Sequence, residues 1–322
     1  MMIGSTVKFQ KTTFLHNVED AGSFCHCGSL ATDGNNLYAA WYAYREEEHR
    51  DAKILLTRSN VEGDWQKTFP FDSSFTNSCG NPVLICSKPG HLHLLFVAIE
   101  GSYWSDAMIY ISHSENAGLK WTRPKSLGLS RGMMLRHQPF EVKKGKWLLP
   151  AYDEMRKKTT LFESHGDFET WEPIYEFEKE MIQASAVHLS EQEWQLYFRP
   201  AGKSRFISCS YSDNQGKTWT TPRKTTLKCP LSGIAAATCK NNRIWVLHNH
   251  TTEQKRTPLN LSYSNDLGFE WVENIPIDEV SCELSYPSAV IDQHNTMHII
   301  YTYNRRMMKY VALSLVDFGE MP

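Results

Sequence analysis

The chain has 322 residues, 41% of them hydrophobic and 22% charged, with a formal net charge of −2. This composition excludes disorder and predicts a folded chain with a substantial core. The near-zero charge excludes a general attraction to nucleic acid or anionic membrane, so any bound anion must meet a local basic cluster.

The N-terminal MMIGSTVKFQKTTFLHN lacks the apolar run of a signal peptide, and no later segment approaches a membrane span in length, which predicts a cytoplasmic location. No Gly/Ser linker, charge block or Pro-rich run divides the chain, so a single domain over residues 1–322 is expected. The first strand-like runs are VKFQKTTFL and FCHCGSL, the second with Cys25 and Cys27 flanking His26. The eight cysteines are scattered without paired C-x-x-C units, which favours small buried hydrophobes over metal ligands. A strand LYAAWYAY then leads into the charged segment REEEHRD, Arg45 to Asp51.

Beyond this point a repeat organises the chain. Four segments end in tryptophan: SENAGLKW (Ser114 to Trp121), SHGDFETW (Ser164 to Trp171), SDNQGKTW (Ser212 to Trp219) and SNDLGFEW (Ser264 to Trp271). A shorter fifth, SNVEGDW (Ser59 to Trp65), precedes them, and the tryptophans step by 56, 50, 48 and 52 residues. Each segment follows an alternating apolar run such as AMIYIS, RFISCSY or LNLSY, the pattern of a half-buried strand. The polar centre reads as a turn: Ser and Asx side chains bond local amides, Gly takes the left-handed conformation, and Trp packs back onto the strands. The spacing suits four-stranded units, and no helix is evident between them, so an all-β fold is expected.

The pattern S-x-D-x-G-x-T-W resembles the Asp-box, or BNR repeat, of the sialidase family. Asp266 keeps the aspartate, while Asn116 and Asn214 replace it in two copies. The resemblance implies a six-bladed β-propeller of the sialidase type: five boxes account for five blades, and Cys282 to Leu315 with VKFQKTTFL would close the sixth.

The same resemblance places a site. Sialidases remove a terminal sugar that carries a carboxylate on its anomeric carbon; they grip it with arginine forks and use a tyrosine nucleophile in place of a second carboxylate. By position relative to the boxes, ELSYPSAV before MHIIYTY makes Tyr286 the nucleophile, while HNHTTEQKRTPLNLSY and LYFRPAGKSRF make Arg256 and Arg199 carboxylate binders. Arg45 in REEEHRD matches a substrate-contacting arginine, with Glu47 or Asp51 as acid/base. Two positions depart from the family pattern. His26 stands where the first arginine is expected, and Gln183, in IQASAV, where a glutamate would activate the tyrosine. Gln cannot take a proton, which leaves Glu283 as a substitute base and Arg136, in RHQPF, as a replacement third cation.

The ordered motifs CHCGSL, NPVL, LRHQPF, IQASAV, LSGIAA and SYPSAV resemble a branch of the superfamily that includes exo-sialidases and proteins acting on Kdo. The expected activity is an exo-glycoside hydrolase releasing sialic acid or Kdo with retention, and no metal or organic cofactor; the alternative is a carbohydrate-binding propeller without turnover. A glycolipid substrate would bring the chain to a membrane peripherally or through a membrane-associated partner subunit.

Overall fold

A computed structural model describes residues 2–3, 7–45, 51–71, 75–178, 180–239 and 242–315. Six antiparallel sheets of four or five strands make a six-bladed β-propeller. Blade I runs from Phe24–Thr32 to Phe69–Pro70, blade II from Ser78–Lys88 to Lys125–Ser126, and blade III from Met133–Met134 to Glu172–Glu176. Blades IV and V begin with Met181–His188 and Ala235–Thr238, and blade VI with Leu284–Ile291. Blade VI is closed by the N-terminus: Val7–Leu15 pairs along Met307–Leu315 from Val7 opposite Leu315 to Leu15 opposite Met308. The expected closure is therefore observed. Among the described residues, no helix is long and apolar enough to cross a membrane.

The apolar faces of the strands are buried between neighbouring blades. Between VI and I, for example, Leu30, Trp41 and Leu55 pack with Ile300, Met308 and Tyr310. Each large side chain fully withdrawn from water in these layers contributes roughly 1.5–3 kcal/mol.

The boxes lock the turn between the third and fourth strands of a blade. In the fifth copy Gly268 N donates to Ser264 Oγ at 2.8 Å, Asp266 Oδ1 accepts from Ser264 Oγ at 2.7 Å, and Trp271 Nε1 donates to Gly268 O at 3.2 Å. Asn116 and Asn214 do the same work with an amide oxygen, accepting from Ser114 Oγ at 3.0 Å and Ser212 Oγ at 3.1 Å. An uncharged carbonyl oxygen thus suffices for the turn.

What builds the centre is a second repeat, on the innermost strands. Blades I, II, IV and VI each slip register there, between His26 and Ser29, Gly80 and Val83, Ile182 and Ser185, and Ser285 and Ser288. Each slip is a β-bulge holding one non-glycine residue at positive φ: Cys27 (55°), Asn81 (44°), Gln183 (53°) and Tyr286 (51°). Such a conformation costs on the order of 1–2 kcal/mol for an L-residue and concentrates at functional positions. Serines two residues after three of the bulges tie neighbouring blades together: Ser288 Oγ accepts from Leu30 N, Ser29 Oγ from Leu84 N, and Ser185 Oγ from Ala236 N.

Candidate active site

The bulges turn Asn81, Gln183 and Tyr286 into a cavity of about 280 Å³ at one end of the central axis. Its wall also holds His26 and Tyr42 of blade I, Trp104 from the loop after the second strand of blade II, and Tyr152 and Glu154 of blade III. Three arginines complete it: Arg199 at the end of the second strand of blade IV, Arg256 in the loop before Leu259–Ser264, and Arg305 in the hairpin after Thr296–Tyr303.

Tyr286 is the hub. Arg199 Nη1 donates to its hydroxyl oxygen at 3.2 Å, while Nη2 donates to Leu231 O at 2.7 Å and so fixes the guanidinium. The guanidinium carbons of Arg256, Arg136 and Arg199 stand 5.4, 5.5 and 5.9 Å from the Tyr286 ring centroid, within cation–π range. His26 meets the same ring edge-on at 4.5 Å. Gly233 lets blade V approach, since a Cβ there would lie 2.9 Å from Tyr286 Cδ1.

Glu283 organises the cations rather than the tyrosine. Its Oε1 accepts from Arg256 Nη1 at 2.9 Å and from Ser285 Oγ at 2.6 Å, and its Oε2 from Arg305 Nε at 2.9 Å. Burial raises its pKa, but Arg305, Ser285, Arg256 and His26 together outweigh that and hold it at about 2. A carboxylate held so firmly ionised is a poor base for a phenol, which corrects the expected role of Glu283 as substitute activator. Its folded-state pKa lies below the unfolded one, so its pairing stabilises the fold above about pH 4.5 and is lost as the pH falls toward 2. Glu283→Gln should therefore cost roughly 2 kcal/mol at pH 7, after allowance for partial solvent screening, and much less near pH 2.5. Denaturant midpoints of the two proteins at both pH values check this; a gap independent of pH would show that the charge is not responsible.

Gln183 is buried, and its Nε2 donates to Tyr152 Oη at 3.0 Å, as Asn81 Nδ2 does at 3.4 Å, while Gln183 Oε1 has no protein partner. Burial, then the charges of Glu154 and Tyr286, push the Tyr152 phenol up, so it stays protonated. With two amides donating to its oxygen, its own O–H is free to serve a ligand.

Other expected residues lie elsewhere. Arg136 is 2% exposed and does not line this cavity: Nη1 donates to Gly28 O at 2.9 Å and Nη2 to Pro287 O at 2.5 Å. Its fork is consumed by the backbones of blades I and VI, and the third cation of the wall is Arg305. Arg45 and Asp51 are exposed and paired, Nε to Oδ2 at 3.8 Å, and neither lines the cavity. Glu47 lies outside the described residues.

Sequence reasoning missed Arg305, Tyr152, Glu154, Asn81 and Trp104. Asn81 stands in the NPVL motif, at a bulge that sets it in the cavity wall.

A sequence profile described as BNR repeat-like domain matches residues 35–299. The chain belongs to that family. No curated protein sequence matches it. Among solved structures it is similar to the Hadza microbial sialidase Hz136, at a TM-score of 0.78 and 15% identity over 91% of this chain and 66% of that one. A protein of unknown function from Dyadobacter fermentans gives a TM-score of 0.78 and 15% identity, covering 96% of this chain and 99% of its own. The NanB sialidase of Streptococcus pneumoniae gives 0.78 and 11%, covering 98% and 71%. At these identities the likeness establishes the fold, and function rests on the site.

Proposed function

We propose that this BNR-repeat protein is an exo-acting glycoside hydrolase that releases a terminal ulosonic acid, sialic acid or Kdo, with Tyr286 as nucleophile. The observation that carries the reading is the Tyr286 hydroxyl, on a bulge at the axis, under the Arg199 guanidinium at 3.2 Å and beside Arg256. Guanidinium forks recognise a carboxylate bidentately and keep their charge at any working pH. A sugar whose carboxylate sits on the anomeric carbon would present that carbon to the neighbouring phenolic oxygen. A neutral nucleophile avoids the repulsion that an Asp or Glu would meet there.

Cavity size supports exo action, because about 280 Å³ is small among ligand pockets and suits one sugar residue rather than a chain. Trp104 supplies an apolar wall for the sugar's carbon face. The leaving group needs only a proton, so the reading requires no cofactor. The test is release of free ulosonic acid from a sialyl-lactose and from a Kdo-terminated lipid A precursor in parallel.

One observation favours a second reading, a carbohydrate-binding propeller without turnover. Gln183 holds Tyr152 from the position where the resemblance implies a tyrosine-activating glutamate. Binding of both sugars with release of neither would select that reading.

A further inference from the structure

Resting on the hydrolase reading, we propose that Glu154, in the turn after the second strand of blade III, is the carboxylate that moves protons in this cavity. Among the described residues of the wall it is the only carboxylate. Glu283 is held by Arg256, Arg305 and Ser285, and Asp51 is off the wall beside Arg45. Burial keeps the Tyr42 and Tyr152 phenols protonated, which makes them donors and not bases. His26 faces the Tyr286 ring edge-on.

The placement of Glu154 suits the task. Lys157 Nζ holds its Oε1 at 2.6 Å across the turn, and the Lys157 N–H donates to Asp153 O at 2.9 Å. The carboxylate is therefore anchored on one oxygen, with the other available. Its side chain is 33% exposed, so water and a departing alcohol both have access, as a group that serves both halves of a hydrolysis requires. Its charge acts on both Tyr152 and Arg199, the second of which donates to the Tyr286 hydroxyl.

A single carboxylate balances the reaction. In the first half, the bond from the anomeric carbon to the aglycone oxygen breaks and the Tyr286 oxygen bonds to that carbon. The phenolic proton passes to Glu154, and Glu154 delivers a proton to the departing oxygen, which leaves as an alcohol. In the second half, water oxygen bonds to the anomeric carbon and the bond to Tyr286 breaks. Glu154 takes the water proton and returns one to the phenolic oxygen. The sum consumes one water, involves no oxidant or reductant, and restores both residues.

The experiment compares wild type, Glu154→Gln and Glu154→Ala on sialyl-lactose and the Kdo-terminated lipid A precursor, with and without sodium formate. Glu154→Gln should lower kcat by about 10²-fold or more with KM within roughly threefold, and formate should restore Glu154→Ala by roughly tenfold or more. A structural role would show no such rescue. A Gln variant within roughly threefold of wild type, or a folded Ala variant that binds 2,3-dehydro sialic acid or Kdo yet gains nothing from formate, overturns the assignment. Failure of wild type to release either sugar sinks the hydrolase reading itself, and is seen before any variant is compared.

Discussion

Tyr286→Phe should retain binding of the acidic sugar and lose its turnover, by about 10³-fold or more in kcat, on whichever substrate wild type cleaves. The substitution removes one oxygen and leaves the ring, which is what packs against Gly233, His26 and the guanidiniums of Arg136, Arg199 and Arg256. The bulge should survive, because the positive φ at this position belongs to the backbone and Phe carries the same penalty as Tyr. The Arg199 donor loses its hydroxyl partner but keeps Leu231 O, so the anion grip is largely preserved. Free sugar release measures the first quantity and calorimetric titration with the 2,3-dehydro sugar the second. A Phe variant that turns over at the wild-type rate would remove Tyr286 from the chemistry, whereas one that loses binding and stability together would make it a packing residue.

The legibility of this chain was uneven for physical reasons. The boxes were readable because each is local: Ser, Asx, Gly and Trp within eight residues satisfy one another, as Ser264, Asp266, Gly268 and Trp271 do. They accounted for five blades, while the sixth blade and its closure by Val7–Leu15 came from the resemblance. The site depends instead on what six inner strands present to a common axis, and side-chain alternation along a strand is broken by the bulges at Cys27, Asn81, Gln183 and Tyr286. A regular strand would have assigned those side chains to the wrong faces.

Arginines were hardest to place, because a guanidinium spends its five donors on whatever acceptors lie nearest, and sequence does not reveal them. Arg199 and Arg256 reached the cavity as the resemblance implied; Arg136 went to backbone carbonyls, and Arg305 arrived from a hairpin that carried no motif. The loop at Arg45 and Asp51 read as an acid/base segment from its likeness to the family loop, yet its two described ends pair with each other at the surface.

Arg136→Met should destabilise the propeller by about 3 kcal/mol or more while changing the affinity of the folded protein for the acidic sugar less than roughly tenfold. Two effects oppose each other. Removing a buried charge relieves a desolvation cost, and a hydrophobic replacement of similar length can be neutral where both partners of a pair are removed. Here the partners are Gly28 O and Pro287 O, which no side-chain substitution can remove. Two buried carbonyls left without donors cost about 1–3 kcal/mol each, and both belong to bulges, at Cys27–Gly28 and Tyr286–Pro287, whose strained backbone has least reserve. Loss therefore outweighs relief. Arg136→Lys should recover little, since one ammonium cannot reproduce a planar fork that spans carbonyls from two blades. The comparison is Arg199→Met, in which a cavity-lining fork is lost: it should weaken sugar binding by about 10²-fold and cost about 1–2 kcal/mol of stability, less than Arg136→Met because one part-buried carbonyl, Leu231 O, loses its donor where Arg136→Met strips two. Denaturant titration and calorimetry on both variants separate the two. If Arg136→Met kept full stability and lost the anion, its guanidinium would belong with the cavity and not with the axis.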